Sequence, residues 1–335
     1  MSFLKSKEKP LSKENFKPSY TWPNPAFPFR VYYASSKCRI FIIENIHHNW
    51  NWMSEWHEHF RKTDFFLVYC GWYHSPYFAE EAATIFSILD LDKSQFFFLY
   101  NSPLEMQNFS AKGFQGDVIN QNAWIDENLV MQPLKREKIY DAIYVGRRSA
   151  FKRHMLASEV SRLALVAGNN HGNSIMDIPP YDYLNEKPLS PEEVCEKINQ
   201  AYSGLILSEE EGTCFASSEY LLCGVPVVST PSKGGRDVWY NEYNSIICEP
   251  SPDSVAEAVE ELVQYPRNPL RIRKMHIEQS QIYRAKFINL LGDIFKRFGV
   301  LDVDPVNYFH SNFFHKLRKS YKPDFEKVFT DTNFH

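Results

Sequence analysis

The chain has 335 residues, room for about two domains of ordinary size. It carries 37 Lys+Arg against 41 Asp+Glu, a formal net charge of −4, which excludes general nucleic-acid binding by phosphate neutralisation; the 44% hydrophobic fraction excludes disorder over most of its length. Aromatics reach 16%, whereas glycine is scarce at 13 residues against ~7% in an average protein, which argues against a glycine-rich phosphate loop.

Residues 1–27 are rich in Lys, Pro and Asn, have little periodicity and read as an extended arm. The start, Met1-Ser2-Phe3-Leu4-Lys5, is followed by Lys and Pro, not by an apolar run, and no stretch reaches the ~20 apolar residues that cross a bilayer. The expectation is a cytoplasmic chain. The cysteines, Cys38, Cys70, Cys195, Cys214, Cys223 and Cys248, form no CxxC pair and read as buried free thiols, with no metal site. Continuous apolar runs predict strands at 39–43, 64–71 and 96–100, with a further one at 117–120; helices are expected at 52–60 and 77–89. Strands alternating with helices indicate a parallel sheet covered on both faces.

The pattern restarts near 139. Strands are expected at 139–145, 163–168, 204–208, 226–230 and 244–248, and helices at 151–161, 213–222, 251–265 and 268–298. Ser190-Pro191-Glu192-Glu193 has a capping-box pattern, with Ser at the N-cap, Pro at N1 and Glu at N3. The domains are therefore an arm (1–27), an N-terminal α/β domain (28–135), a C-terminal α/β domain (136–298) and an aromatic, basic tail (299–335).

Ligands of open α/β sheets sit at the carboxyl ends of strands. There lies Ser208-Glu209-Glu210-Glu211-Gly212-Thr213-Cys214, and Glu219 follows Glu211 by eight residues, about two helical turns. Gly212 lets a ligand approach the backbone, and the free N–H groups near Thr213 and Cys214 suit an anion such as a diphosphate. Carboxylates beside an anion site are explained by sugar and ribose hydroxyls, which donate hydrogen bonds to them. Two glutamates on a helix are otherwise an ordinary solvated face. The adjoining Cys223-Gly224-Val225-Pro226-Val227-Val228 makes the pattern more specific.

This stretch resembles the E-x7-E region of GT-B glycosyltransferases of the retaining, family-4-like group (glycosyl transferases group 1), commonly EGFG…EAMACGVPVV. Three further segments fall in the same order. Val145-Gly146-Arg147 with Lys152 resembles the VGR…K element. The run from Ser232 through Gly234, Gly235, Arg236 and Asp237 to Tyr243-Asn244-Ser245 resembles the GG…E…NG loop. Ser251-Pro252-Asp253-Ser254-Val255-Ala256 resembles the DPEALA helix start. The likeness spans 139–265; over 1–135 only the α/β pattern fits. Asn120 to Asp126 resembles the NGVD link, with Ala123 in place of glycine.

The resemblance implies two Rossmann-like domains facing across a cleft, the N-terminal one reduced, and transfer of a sugar from a nucleotide-diphosphate sugar such as a UDP- or GDP-sugar. It implies that Arg147 and Lys152 hold the diphosphate with Gly146, Gly212, Thr213, Cys214, Gly234 and Gly235 around it, without a metal. Glu211 then contacts the donor sugar and Glu219 the ribose, and retention follows from front-face attack. The acceptor, a glycan or glycolipid of polysaccharide, lipopolysaccharide or glycoprotein assembly, is expected on the N-terminal side. Candidate contacts there are His47, His48, Trp50, Trp72 and His74, together with Asp126 of the link; relatives carry a glycine-rich loop where this chain has Asn, His and Trp. The tail over 307–329 reads either as a helix packing back on the N-terminal domain or as a peripheral membrane patch. A non-catalytic nucleotide-sugar or glycan-binding module, a phosphorylase and an epimerase are the alternatives on the same scaffold.

Overall fold

The computed structural model describes residues 29–70, 76–167, 177–313 and 325–334. They divide into two compact units. The first holds the described residues up to Val118 together with Leu291–Asn312 and the C-terminal helix Phe325–Thr330; the second holds Ile119–Leu290 and Phe313.

The apolar runs of the first unit become strands β1 (Phe29–Ala34), β2 (Arg39–Glu44), β3 (Asp64–Tyr69), β4 (Phe96–Tyr100) and β5 (Gly116–Val118), ordered 1-2-3-4-5. All pair in parallel except β1, which runs antiparallel to β2 and belongs to a segment where no element was expected. Every crossover moves the same way along the sheet, so the right-handed rule sends helices α1 (Trp50–Trp56), α2 (Pro76–Ile88) and α3 (Pro103–Ser110) to one face. Phe41, Phe66, Phe96 and Phe98 point into that layer. Against the other face, Phe65 meets Arg297 and Phe298 at the end of the long helix α7 (Pro269–Arg297).

The high aromatic content is spent here. After α8 (Pro305–Ser311), whose Tyr308 hydroxyl donates to the Tyr32 carbonyl (2.6 Å), α9 (Phe325–Thr330) lays Phe325 and Phe329 flat against Trp52 at 5.0 and 5.9 Å. Arg39 grips Asp64 through Nε and Nη2, both at 2.7 Å, and gives Nη1 to the Val328 carbonyl of α9. The two described helices of the tail thus pack within the first unit. Lys316, Arg318, Lys319 and Lys322, on which a membrane patch would rest, lie outside the described residues. No helix of the described residues is long and apolar enough to cross a membrane.

In the second unit β6 (Tyr140–Val145), β7 (Leu163–Val166), β8 (Tyr183–Leu184), β9 (Ala201–Ile206), β11 (Val227–Ser229) and β13 (Ser245–Ile247) form one parallel sheet ordered 13-11-9-6-7-8; two-residue strands β10 (Glu210–Glu211) and β12 (Lys233–Gly234) pair separately. Helices α4 (Pro191–Asn199), α5 (Phe215–Leu222) and α7 share one core, and α6 (Pro252–Gln264) the other. The Ser190 capping box is complete, with Glu193 N–H donating to Ser190 Oγ and Ser190 N–H to the Glu193 carboxylate. Tyr220 of α5 is a peg: its ring lies where a Cβ on Gly204 would come within 2.3 Å, and the Val145 N–H donates to its hydroxyl at 2.7 Å.

Two expectations change. The helix expected at 151–161 is instead a pair of 3-10 turns, Ala150–Lys152 and His154–Ala157. Arg153 breaks the helix between them with a left-handed φ of 51°, which lets its guanidinium reach the Leu207 carbonyl (2.6 Å) and Thr230 Oγ1 (2.8 Å). The boundary expected at 135 falls inside the second unit. Ala123, Ile125 and Met131 sit in that unit's core, and Arg284 and Arg273 of α7 donate to the carbonyls of Ala123, Ile125 and Met131.

Candidate functional site

The winding of the second sheet reverses between β6 and β9, because β7 and β8 extend it one way and β11 and β13 the other. Side chains beyond the carboxyl ends of such a strand pair can diverge around a ligand. Gly146 and Arg147 leave β6 there, and Leu207 and Ser208 leave β9.

Gly146 is not demanded by packing, since a Cβ would make only ordinary contacts with the Tyr144 ring (3.5 Å) and Lys152 (3.8 Å). Arg147 is partly exposed, with its guanidinium 5.2 Å from the centre of the Phe151 ring. Lys152 is buried; the Tyr144 hydroxyl donates to its carbonyl, and His154 stacks on Tyr144 at 4.4 Å. Burial, with the Lys152 and Arg148 cations, pushes His154 down to about 4, so this ring is neutral at pH 7.

The Lys152 ammonium meets one Glu211 oxygen, and Ser208 Oγ donates to the other. Burial alone would raise the Glu211 carboxyl; Lys152, Ser208 and Arg236 outweigh it and hold Glu211 below the usual range, hence ionised. Arg236 is itself fully buried and donates to Ser208 Oγ (2.9 Å), to the Ile206 carbonyl (3.3 Å) and to the Thr230 carbonyl (2.5 Å). It ties the ends of β9 and β11 to the loop that follows Gly234-Gly235.

That loop lies against Glu211. Glu211 pairs with Gly234 in the β10–β12 ladder, and Gly235 N–H donates to the Gly212 carbonyl at 2.6 Å. Gly234 has φ 123°, and a Cβ there would lie 1.6 Å from the Glu211 carbonyl oxygen, so glycine is obligatory. Thr213 and Cys214 are buried at the start of α5. Cys214 is its N-cap, with φ 49°, at the position where the EGFG pattern has its second glycine. Burial and the Glu211 carboxylate push its thiol up to about 11.

Glu219 is partly exposed on α5, and among the described residues no hydrogen bond joins it to the Lys152 network. Burial, then the Cys195 thiol of α4, pushes its carboxyl up to about 7. In the first unit His47 stands 5.3 Å from Phe78, whereas Trp50 is buried in the core, edge-on to Phe86. Trp50 therefore presents no open stacking face. The His48 side chain, Trp72 and His74 lie outside the described residues. Asp126 is in the second unit and caps a turn by accepting from the Asn128 N–H (2.9 Å). Among the described residues no three His, Cys, Asp or Glu side chains cluster to hold a metal ion.

Sequence reasoning gave no role of their own to Ser208, Arg236, Tyr144 or the pair Asn120 and Asn122. Arg236 directly follows the double glycine, a usable signal; the reach of Asn122 across the fold has no local signal.

Residues 187–279 match the family described as glycosyl transferases group 1, the segment that carries Glu211, Glu219 and the double glycine. No curated protein matches the chain in sequence. Among solved structures, trehalose-6-phosphate synthase is similar at TM-score 0.55 and 13% identity, over 77% of this chain and 74% of that one. Alr3699/HepE of Anabaena in complex with UDP gives 0.54 and 13%, over 69% and 72%. Sucrose-phosphate synthase from Thermosynechococcus elongatus gives 0.51 and 16%, over 78% and 74%. The fold is GT-B, α/β with parallel sheets, and the family match adds support for a glycosyltransferase.

Proposed function

We propose that this protein is a retaining, metal-independent glycosyltransferase that moves a sugar from a nucleoside-diphosphate sugar to a glycan or glycolipid acceptor. The observation that carries the reading is the Lys152–Glu211 pair at the switch point, flanked by the start of α5 and the Gly234-Gly235 loop. In this reading Lys152, Arg147 and the amides opening α5 hold the diphosphate. The bond from the anomeric carbon to the diphosphate oxygen breaks, and those donors stabilise the charge left on the oxygen. The acceptor hydroxyl forms its new bond on the same face, and its proton passes to the leaving diphosphate. Glu211 accepts from donor-sugar hydroxyls and Glu219 from the ribose; no carboxylate is assigned as a nucleophile. The first unit is read as the acceptor-binding part of the chain, with His47 among the candidate contacts.

UDP bound to one structural neighbour makes UDP-sugars the first donors to try. Nucleotide-sugar consumption is measured with UDP-, GDP-, CMP- and dTDP-sugars, with and without glycan acceptors. Transfer with an unchanged anomeric configuration is expected. Unchanged rates in both Glu211→Ala and Lys152→Ala would overturn the site, and donor binding without turnover on any acceptor would identify a binding module instead.

A further inference from the structure

The start of α5 and the double-glycine loop carry backbone groups of the site. Both are held by one short segment. Asn122, fully buried, points its amide nitrogen at the Thr213 carbonyl (3.0 Å), the Cys214 carbonyl (3.1 Å) and Ser218 Oγ (2.9 Å). Two carbonyls at one end fix the amide orientation, because only the NH2 can face them. Two residues earlier Asn120, also fully buried, donates to the Gly235 carbonyl (2.8 Å), while its oxygen accepts from the Asn122 N–H (3.0 Å) and Trp239 Nε1 (3.2 Å). Arg284 of α7 anchors the following turn at the Ala123 carbonyl (2.8 Å).

Stability alone is a poor reason for this arrangement. Among the described residues Asn122 Oδ1 is buried with no hydrogen-bond partner, a cost that an apolar side chain would avoid. The amide is also directed at Cys214, the residue of the helix start in a left-handed conformation that a non-glycine residue resists. Released, that turn would relax and move the α5 amides away from their places beside Glu211.

We infer that Asn122, with Asn120, is a positioning residue of the donor site: it locks the α5 start and the Gly235 loop in register so that both meet the diphosphate together. The inference rests on the reading of the α5 start as the diphosphate site. It predicts a defect confined to the part of the donor that carries the phosphates, since among the described residues no hydrogen bond joins the segment to Glu219.

The test is calorimetry on the full-length protein with UDP, GDP, CDP and dTDP, then with the monophosphate of whichever nucleoside binds. Asn122→Ala should weaken the diphosphate about tenfold, the scale of one lost buried hydrogen bond, and leave the monophosphate within about twofold. Asn120→Asp, which keeps the acceptor for Trp239 and loses the donor to Gly235, should move the same ratio and serves if Asn122→Ala does not fold. Amide hydrogen exchange at 212–216 should quicken in both variants while β6 and β9 stay protected. Equal losses for diphosphate and monophosphate, or unchanged diphosphate affinity in both variants, would overturn the positioning role. Failure of the wild-type protein to bind any nucleoside diphosphate would instead overturn the donor-site reading, and the inference with it.

Discussion

Arg39–Asp64 in the first unit and Lys152–Glu211 in the second are both cation–carboxylate pairs removed from bulk water, and they are built differently. Arg39 and Asp64 are 1% and 0% exposed, joined by two parallel bonds, with the remaining guanidinium nitrogen on a carbonyl and the Arg61 N–H on Asp64. That pair is closed. Lys152 and Glu211 keep 9% and 15% exposure, meet through a single contact, and use a flexible ammonium in place of a fixed planar fork. In the structural pair all three guanidinium nitrogens donate within the protein. A pair at a site keeps donors for a ligand, and Lys152 has two ammonium hydrogens beyond the one given to Glu211.

Breaking the closed pair should have the largest effect on stability. Arg39→Ala strands a buried Asp64 and releases α9, so denaturant unfolding should show a loss of about 3–5 kcal/mol. A loss below about 1 kcal/mol would erase the distinction. Lys152→Ala should reverse the balance: kcat should fall by about 10²–10³, as when one stabilising donor is removed from a transition state, with a smaller loss of stability than at Arg39. Equal destabilisation by the two substitutions would mean that Lys152 is a structural residue.

Glu219 sharpens the contrast through pH. Its carboxyl lies near 4.5 in the unfolded chain and about 7 in the fold, so the fold favours the protonated form. The associated stability is fully present below about 4.5 and is lost as pH rises through about 7. Ribose hydroxyls need the ionised form as acceptor, so donor affinity should rise with pH through the same range. Glu219→Gln should flatten both curves; a wild-type affinity already independent of pH between 5.5 and about 8 would refute the assignment. The smallest effect serves as a baseline. Ser190→Ala removes the capping box and should cost about 1 kcal/mol of the second unit's stability without changing kcat, which initial rates below the unfolding temperature would check.

Local chemistry made much of this legible. Ser190-Pro191 and Ser251-Pro252 announce their helices and the apolar runs announce the strands, whereas only the family resemblance places Lys152 beside Glu211, 59 residues away in sequence. What escaped depends on distant partners. β1 exists because β2 offers it an edge, and the expected helix at 151–161 is lost because Arg153 finds acceptors after β9 and β11. Trp50 reads as a sugar-stacking ring in its loop but is needed in the core. Asn122 reaches Ser218 across 96 positions of sequence, a distance no periodicity encodes.

The peg between Gly204 and Tyr220 has a consequence for how this chain can vary. A side chain at 204 collides with the ring at 220, and loss of the ring leaves the Val145 N–H without its hydroxyl partner and a void beneath α5. Neither position can drift alone without a penalty, so the two are bound into a single mutational step. The helix bearing Glu219 and the strand that leads into Gly146 are thereby tied in their evolutionary paths as well as in space.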